Sequence, residues 1–251
     1  MTQHFQPISV FKEHPYKKIL AFPKVKESEI KNRIVELKKL GISHVSFTGP
    51  LQIGKCHILG KGYVGMVILA KKSGNNVALK IRRADSPRKN MSDEARLLKI
   101  ANKINIGPKF IKNSKNFLVM ELIDGEKIID WAKNSKTKSK DLYHVINNVL
   151  RECYLLDSVG LDHGELSTID KHVIIGKDRN TIIDFESSST KRISSNVSAA
   201  TQSIFIGTGL AKIIRKKIHV PRRDKIIRLV RNYKKLRTQQ SFDDLLHGLK
   251  L

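Results

Sequence analysis

His163-Gly164-Glu165-Leu166-Ser167-Thr168-Ile169-Asp170 is followed, nineteen residues after Glu165, by Asp184-Phe185-Glu186. Short apolar runs near Val173 and Thr181 lie between them and read as two strands, the second ending in Ile182-Ile183 just before Asp184. Carboxylates spaced in this way suit a reaction in which one acid positions or deprotonates a hydroxyl while another holds a cation. By itself an Asp-Phe pair after two isoleucines is only a strand end. Its weight comes from what stands upstream.

Working outward toward the N-terminus, Leu118-Val119-Met120-Glu121-Leu122 reads as a strand running into a linker. Before it, Glu94, Leu97, Leu98 and Ala101 share a helix that Ser92 would cap and that stops before Gly107-Pro108. Fourteen residues before Glu94, Lys80 ends the strand-like Val77-Ala78-Leu79-Lys80. Earlier still, Gly60-Lys61-Gly62-Tyr63-Val64-Gly65-Met66-Val67 is a G-x-G-x-x-G-x-V run between two predicted strands. In a dinucleotide fold such glycines open a helix; between strands they form a hairpin whose backbone N–H groups close over ATP phosphates. Five elements in this order predict phosphoryl transfer from ATP. Gly60, Lys61, Gly62, Gly65, Val67 and Ala78 would surround the nucleotide, Lys80 would pair with its phosphates and with Glu94, and Met120, Glu121 and Leu122 would carry the adenine-binding backbone. Asp184 and Asp170 are the candidate ligands for Mg²⁺ or Mn²⁺, and Glu165 the candidate for orienting the attacking hydroxyl.

A second phosphate-loop signal is set aside. Gly49-Pro50-Leu51-Gln52-Ile53-Gly54-Lys55-Cys56 nearly spells G-x-x-x-x-G-K-[ST], but Cys56 offers no hydroxyl and a strand, not a helix, should follow.

The wider pattern predicts an α+β protein of two lobes, β-rich then helical, with a ligand cleft between them. Residues 1–41 form an N-terminal extension with a basic amphipathic helix over residues 27–40, residues 42–123 the first lobe, and residues 124–251 a helical lobe. Strands are expected at 42–47, 51–59, 64–70, 77–81 and 116–123, and helices at 142–158, 196–217, 222–237 and 242–249.

Lys plus Arg number 48 against 23 Asp plus Glu, a net charge of +25 with a pI near 10.1. A charge of this size calls for a polyanionic partner, and nucleic acid, here structured RNA, is favoured over a membrane surface because basic domains are generally linked to phosphate backbones and no lipidation signal or strongly hydrophobic amphipathic helix is present. Between residues 215 and 237 stand eleven basic residues, among them Arg215, Lys216, Lys217, Arg222, Arg223, Arg228, Arg231, Lys234 and Lys235, against one acid, Asp224. With Lys171, these are the candidate RNA contacts. Few aromatics accompany them, which favours reading of the phosphate backbone over base stacking. Two cysteines, Cys56 and Cys153, and no metal-ligand spacing of Cys and His indicate a reduced compartment without structural zinc. The expected location is cytoplasmic, with no obligate protein partner.

The glycine loop, Val77-Ala78-Leu79-Lys80, Glu94-Ala95-Arg96 and the compact His163-Gly164-Glu165-Leu166-Ser167 together resemble the RIO and Bud32 group of atypical kinases. Lys171-His172-Val173 and Asp184-Phe185-Glu186 narrow the likeness to the archaeal RIO-like kinases. That family includes a tRNA kinase acting on the ribose 2′-hydroxyl of a variable-loop uridine. The resemblance implies a kinase-like fold, ATP with a divalent ion, and a tRNA or other structured RNA acceptor. Ordinary protein kinases differ in having Asp, Asn and Gly where Glu165, Asp170 and Glu186 stand, and in carrying an Ala-Pro-Glu platform that Ser187-Ser188-Ser189-Thr190-Lys191-Arg192 does not lead into. Alternatives are a RIO-type serine/threonine protein kinase or ATPase of ribosome maturation, a small-molecule kinase, and a non-catalytic RNA-binding module.

Overall fold

A computed structural model describes residues 4–207 and 209–251. The chain forms two compact units: the first runs to Lys99 and takes in Pro108–Leu122, and the second comprises Ile100–Gly107 and Ile123–Leu251.

The first unit is built on a seven-stranded antiparallel sheet. Its path runs Gln6–Pro7, Ile42–Ser46, Gly65–Lys72, Asn75–Arg82, Phe117–Glu121, Phe110–Asn113, with Gly60–Lys61 pairing onto Gly65–Lys72. Alternate positions of the central strands, such as Met66, Ile68 and Ala70, face a core shared with the Glu27–Leu40 helix. That helix forms because Ile30, Ile34, Leu37 and Leu40 recur at helical spacing and are buried, contributing roughly 1.5–3 kcal/mol each. It stops at Gly41, whose φ of 80° lets the amide turn back to the Leu37 and Lys38 carbonyls. Its one buried charge is Arg33, which donates to the carbonyls of Leu20 and Arg82 at 2.6 Å each and pairs with Glu29 at 2.7 Å. Burial holds this guanidinium below its ordinary pKa, against the pull of Glu29. The N-terminal helix is thereby tied to the end of the strand that carries Lys80.

Two expectations for this unit change. Residues 51–59 are not one strand but a small hairpin, Leu51–Ile53 against Cys56–Ile58, turning at Gly54 with φ 59°. No helix follows the P-loop-like run, as its sequence predicts. At the start of Ser92–Lys103 the capping oxygen comes from Asn90, which accepts the Ser92 amide at 2.8 Å, rather than from Ser92 itself.

The second unit is mostly helical, around Ser139–Ser158, whose Leu142, Val145, Ile146, Val149, Leu150, Cys153 and Leu156 form the buried stripe. A three-stranded antiparallel sheet, Gly125–Lys127, Val173–Gly176 and Asn180–Ile182, packs in the same unit. The single helix expected over 196–217 is instead two, Asn196–Phe205 and Gly209–Lys217. At the break the Ile206 and Gly207 amides both bond the Gln202 carbonyl, at 2.8 Å each. Arg223–Leu236 and Gln239–Leu249 complete the unit, separated by Arg237 in the left-handed region. Among the described residues no single helix is long and apolar enough to cross a membrane. A sheet-rich unit with a helical one is the α+β class anticipated above.

Candidate active site

In the first unit the glycine run forms the expected hairpin. Gly60 and Lys61 pair with Val67 and Met66, and the Gly62 amide donates to the Gly65 carbonyl at 2.8 Å. Gly65 admits no side chain, because a Cβ there would stand 2.8 Å from the Ile81 carbonyl oxygen and 3.2 Å from Lys80 Cγ. Tyr63, at the tip, is 71% exposed, and the Lys61 ammonium lies 4.9 Å from the Phe22 ring centre. Val67 faces Lys80 in register, and Lys80 and Ala78 face Leu118 and Met120 on the next strand. Lys80 Nζ meets Glu94 Oε1 at 2.7 Å, with both side chains 3% exposed. Glu94 sits in the first turn of its helix, where the helix dipole favours a carboxylate. Met120 is half-buried, and Glu121 accepts the Lys109 amide at 2.9 Å; Leu122 is the last residue of this unit.

In the second unit the fold gathers Glu165, His172 and Asp184. One ligand atom from each lies within 4.8 Å of the other two. Asp184 stands at φ 71°, a left-handed conformation uncommon for a residue with a side chain, at the end of Asn180–Ile182. Glu165 Oε1 accepts the Ser187 hydroxyl at 2.6 Å, and its Oε2 lies 3.2 Å from His172 Nε2. His163 is fully buried, bonds the Ile183 carbonyl through Nε2 at 3.0 Å, and packs edge-on against His172 and Phe185. Burial, then the neighbouring His172, lowers its pKa to about 4, so it braces the loop as a neutral ring. Its amide is taken by Asn196 Oδ1, and Asn196 is itself held by Asp157 and the Leu161 carbonyl. Asp170 is half-buried on the short Ile169–His172 helix, and a Cβ at Gly209 would lie 3.7 Å from its Oδ2. The gathered donors are Glu165, His172 and Asp184; Asp170, the other carboxylate expected to hold a cation, is not in this group. Carboxylate oxygens suit Mg²⁺, and the His172 nitrogen is acceptable to Mn²⁺.

The sequence assigns no role to His172, Ser187 or Arg192; in the fold His172 ends the short Ile169–His172 helix with its Nε2 3.2 Å from Glu165. The available signal for Ser187 was its position directly after Asp184-Phe185-Glu186.

The basic residues sit on the outer faces of the helical unit. Arg223–Leu236 buries Ile226, Val230 and Tyr233 and exposes Arg223, Arg228, Arg231, Lys234 and Lys235. Lys171, Lys216 and Arg222 are exposed as well. Arg215 donates to the Phe205 carbonyl at 2.6 Å and Lys217 to the Asn134 carbonyl at 2.6 Å, so these two also tie structure together. Arg215 and Arg223 line an open cavity of about 420 Å³.

Residues 70–196, half of the chain, match the RIO domain family. The chain belongs to the RIO family. Its members are atypical protein kinases, so at this level the protein is a phosphotransferase using ATP. The RIO match spans Lys80, Glu94, Glu165, Asp170 and Asp184, beginning after the last residue of the glycine run, Val67, and ending before the basic helices. The chain is also similar to the uncharacterized protein MJ1211 of Methanocaldococcus jannaschii, 32% identical over 119 residues, 47% of this chain and the full length of that protein.

Proposed function

We propose that this RIO-family chain is an RNA kinase, transferring the γ-phosphoryl group of ATP to the ribose 2′-hydroxyl of a variable-loop uridine in tRNA. The observation that carries the RNA acceptor is the basic surface: eleven Lys or Arg against one acid over residues 215–237, with six of the cations exposed along one helix. So many cations exceed what solubility requires and fit a phosphate backbone. The choice of a 2′-hydroxyl rests on the resemblance of the loop motifs.

In this reading the amides of Gly60, Gly62 and Gly65 cover the phosphates, beside Lys61, Val67 and Ala78. Lys80, held by Glu94, neutralises phosphate charge, while the Met120, Glu121 and Leu122 backbone receives the adenine. Asp184 and Asp170 would hold a Mg²⁺ or Mn²⁺ ion, which neutralises charge on the phosphates when bound. Glu165 orients the acceptor hydroxyl. The acceptor oxygen bonds the γ-phosphorus, the bond to the bridging oxygen breaks, ADP leaves, and the hydroxyl proton passes to Glu165. Catalysis is positioning and charge neutralisation.

The family match favours a second reading, a RIO-type serine/threonine protein kinase or ATPase in RNA maturation. Incubation with Mg²⁺, γ-labelled ATP and two acceptor pools, unmodified tRNA and mixed basic proteins, separates the two. Label in a ribose-phosphorylated uridine after nuclease digestion supports the first reading; label in protein alone, or ATP turnover without transfer, supports the second.

A further inference from the structure

The serine-rich segment after Asp184-Phe185-Glu186 is laced onto the loop that carries Glu165. Asp162 and Ser189 exchange backbone hydrogen bonds of 2.9 and 2.8 Å. Ser188 Oγ donates to the His163 carbonyl at 3.2 Å. Arg192 donates through Nε to Asp162 Oδ2 at 2.8 Å and through Nη2 to the Ser187 carbonyl at 2.7 Å. Gly164, at φ 88°, lies so close that a Cβ would meet that same carbonyl oxygen at 2.6 Å. These contacts fix the backbone on which one hydroxyl stands, and that hydroxyl donates to Glu165 Oε1 at 2.6 Å.

We propose that Ser187 is a positioning residue, and that residues 187–192 form a strap whose task is to hold the Glu165 carboxylate at the distance the acceptor hydroxyl needs. The inference rests on the reading of Glu165 as the group that receives this hydroxyl. Glutamate is one methylene longer than aspartate and has one more rotatable bond, so an unheld carboxylate here would sweep through several positions. Misplacement by an ångström is enough to cost a large factor in rate. Ser187 holds Oε1 and His172 flanks Oε2 at 3.2 Å. Each carboxylate oxygen offers two acceptor sites, so the clamp leaves room for a further hydroxyl, and the 34% exposure of the Glu165 side chain leaves it a face to approach. The run of serines, which as sequence marks only a missing peptide platform, is thus the device that accommodates the glutamate.

The test measures ADP formation by the full chain with ATP, Mg²⁺ and tRNA. Loss of a hydrogen bond to a charged group corresponds to roughly a tenfold fall or more, so Ser187→Ala should lower kcat by about that factor and leave KM for ATP unchanged. Ser187→Thr, which keeps the hydroxyl, should restore the rate. In a Glu165→Gln background the Ser187→Ala loss should shrink or vanish, because Ser187 acts only through the carboxylate. Arg192→Ala, which loosens the strap but spares the hydroxyl, should lower kcat less and provides a readout if the Ser187 variant folds poorly. A Ser187→Ala enzyme at the wild-type rate, or a loss of equal size in both backgrounds, overturns the proposal alone. Full activity in Glu165→Gln overturns the reading of Glu165 together with it.

Discussion

Lys80 and Glu94 form an ion pair from which water is nearly excluded, and breaking one half of such a pair is costly because the other charge stays buried. The penalty is about 3–5 kcal/mol. Glu94→Ala should therefore lower the melting temperature by several degrees and weaken ATP binding, measured by thermal melts and by KM; unchanged values for both would remove the pair from the site. Glu152 behaves in the opposite sense. Its Oε1 accepts from Asn180 at 2.8 Å, its Oε2 is buried without a hydrogen-bond partner, and burial raises its pKa to about 8 despite Arg179 and Asn180. The folded chain then binds a proton that the unfolded chain, with a carboxyl near the ordinary 4.5, has released. Its contribution to stability is complete below about pH 4.5 and is lost as the pH rises toward 8. Glu152→Gln, which cannot ionise, should gain in melting temperature relative to wild type at pH 8.5 and show little of that gain at pH 5. A difference independent of pH would contradict the assignment.

The glycine hairpin and the Lys80 strand depend on one another. Gly65 lies against the Ile81 carbonyl and Lys80 Cγ, so Gly65→Ala must part the strands Gly65–Lys72 and Asn75–Arg82 beside Lys80. A rise of roughly tenfold in KM for ATP is expected, on the scale of a locally misplaced binding group, with RNA affinity unchanged. Steady-state kinetics and an RNA-binding titration check the two halves. Elements with a clear period were legible in the sequence: the Glu27–Leu40 helix has its expected ends because four aliphatic positions and a terminal glycine specify them locally. The break at Ile206-Gly207 was not, since the apolar period runs on across it and one glycine inside a helical pattern is often tolerated. Nor was the turn at Gly54, where β-branched residues on both sides mimic a single strand.

For the molecule as a whole the charge is the dominant quantity. Reversing Arg223, Arg228 and Arg231 to Glu changes only exposed side chains of one helix. Under the RNA reading, tRNA affinity should fall for all sequences alike, and the slope of log K against log salt should shrink by about one for each phosphate contact removed. ADP formation without RNA should stay at its basal rate. A salt slope equal to that of the wild type would place the RNA elsewhere.

The sequence by itself determined the order of the motifs, the α+β class, the pairing of Lys80 with Glu94 and the basic character of the C-terminal helices. Each depends on residue type and short spacing, which act through local backbone geometry and charge. Only the tertiary structure decided what surrounds Glu165. Ser187 lies twenty-two residues away in the chain, and Arg192 reaches Asp162 across thirty. The same holds for Arg33, which as sequence belongs to a charged helix and in the fold is buried against carbonyls from Leu20 and Arg82. Such contacts carry no periodic signal, because they exist only once distant segments have packed and brought donor and acceptor together.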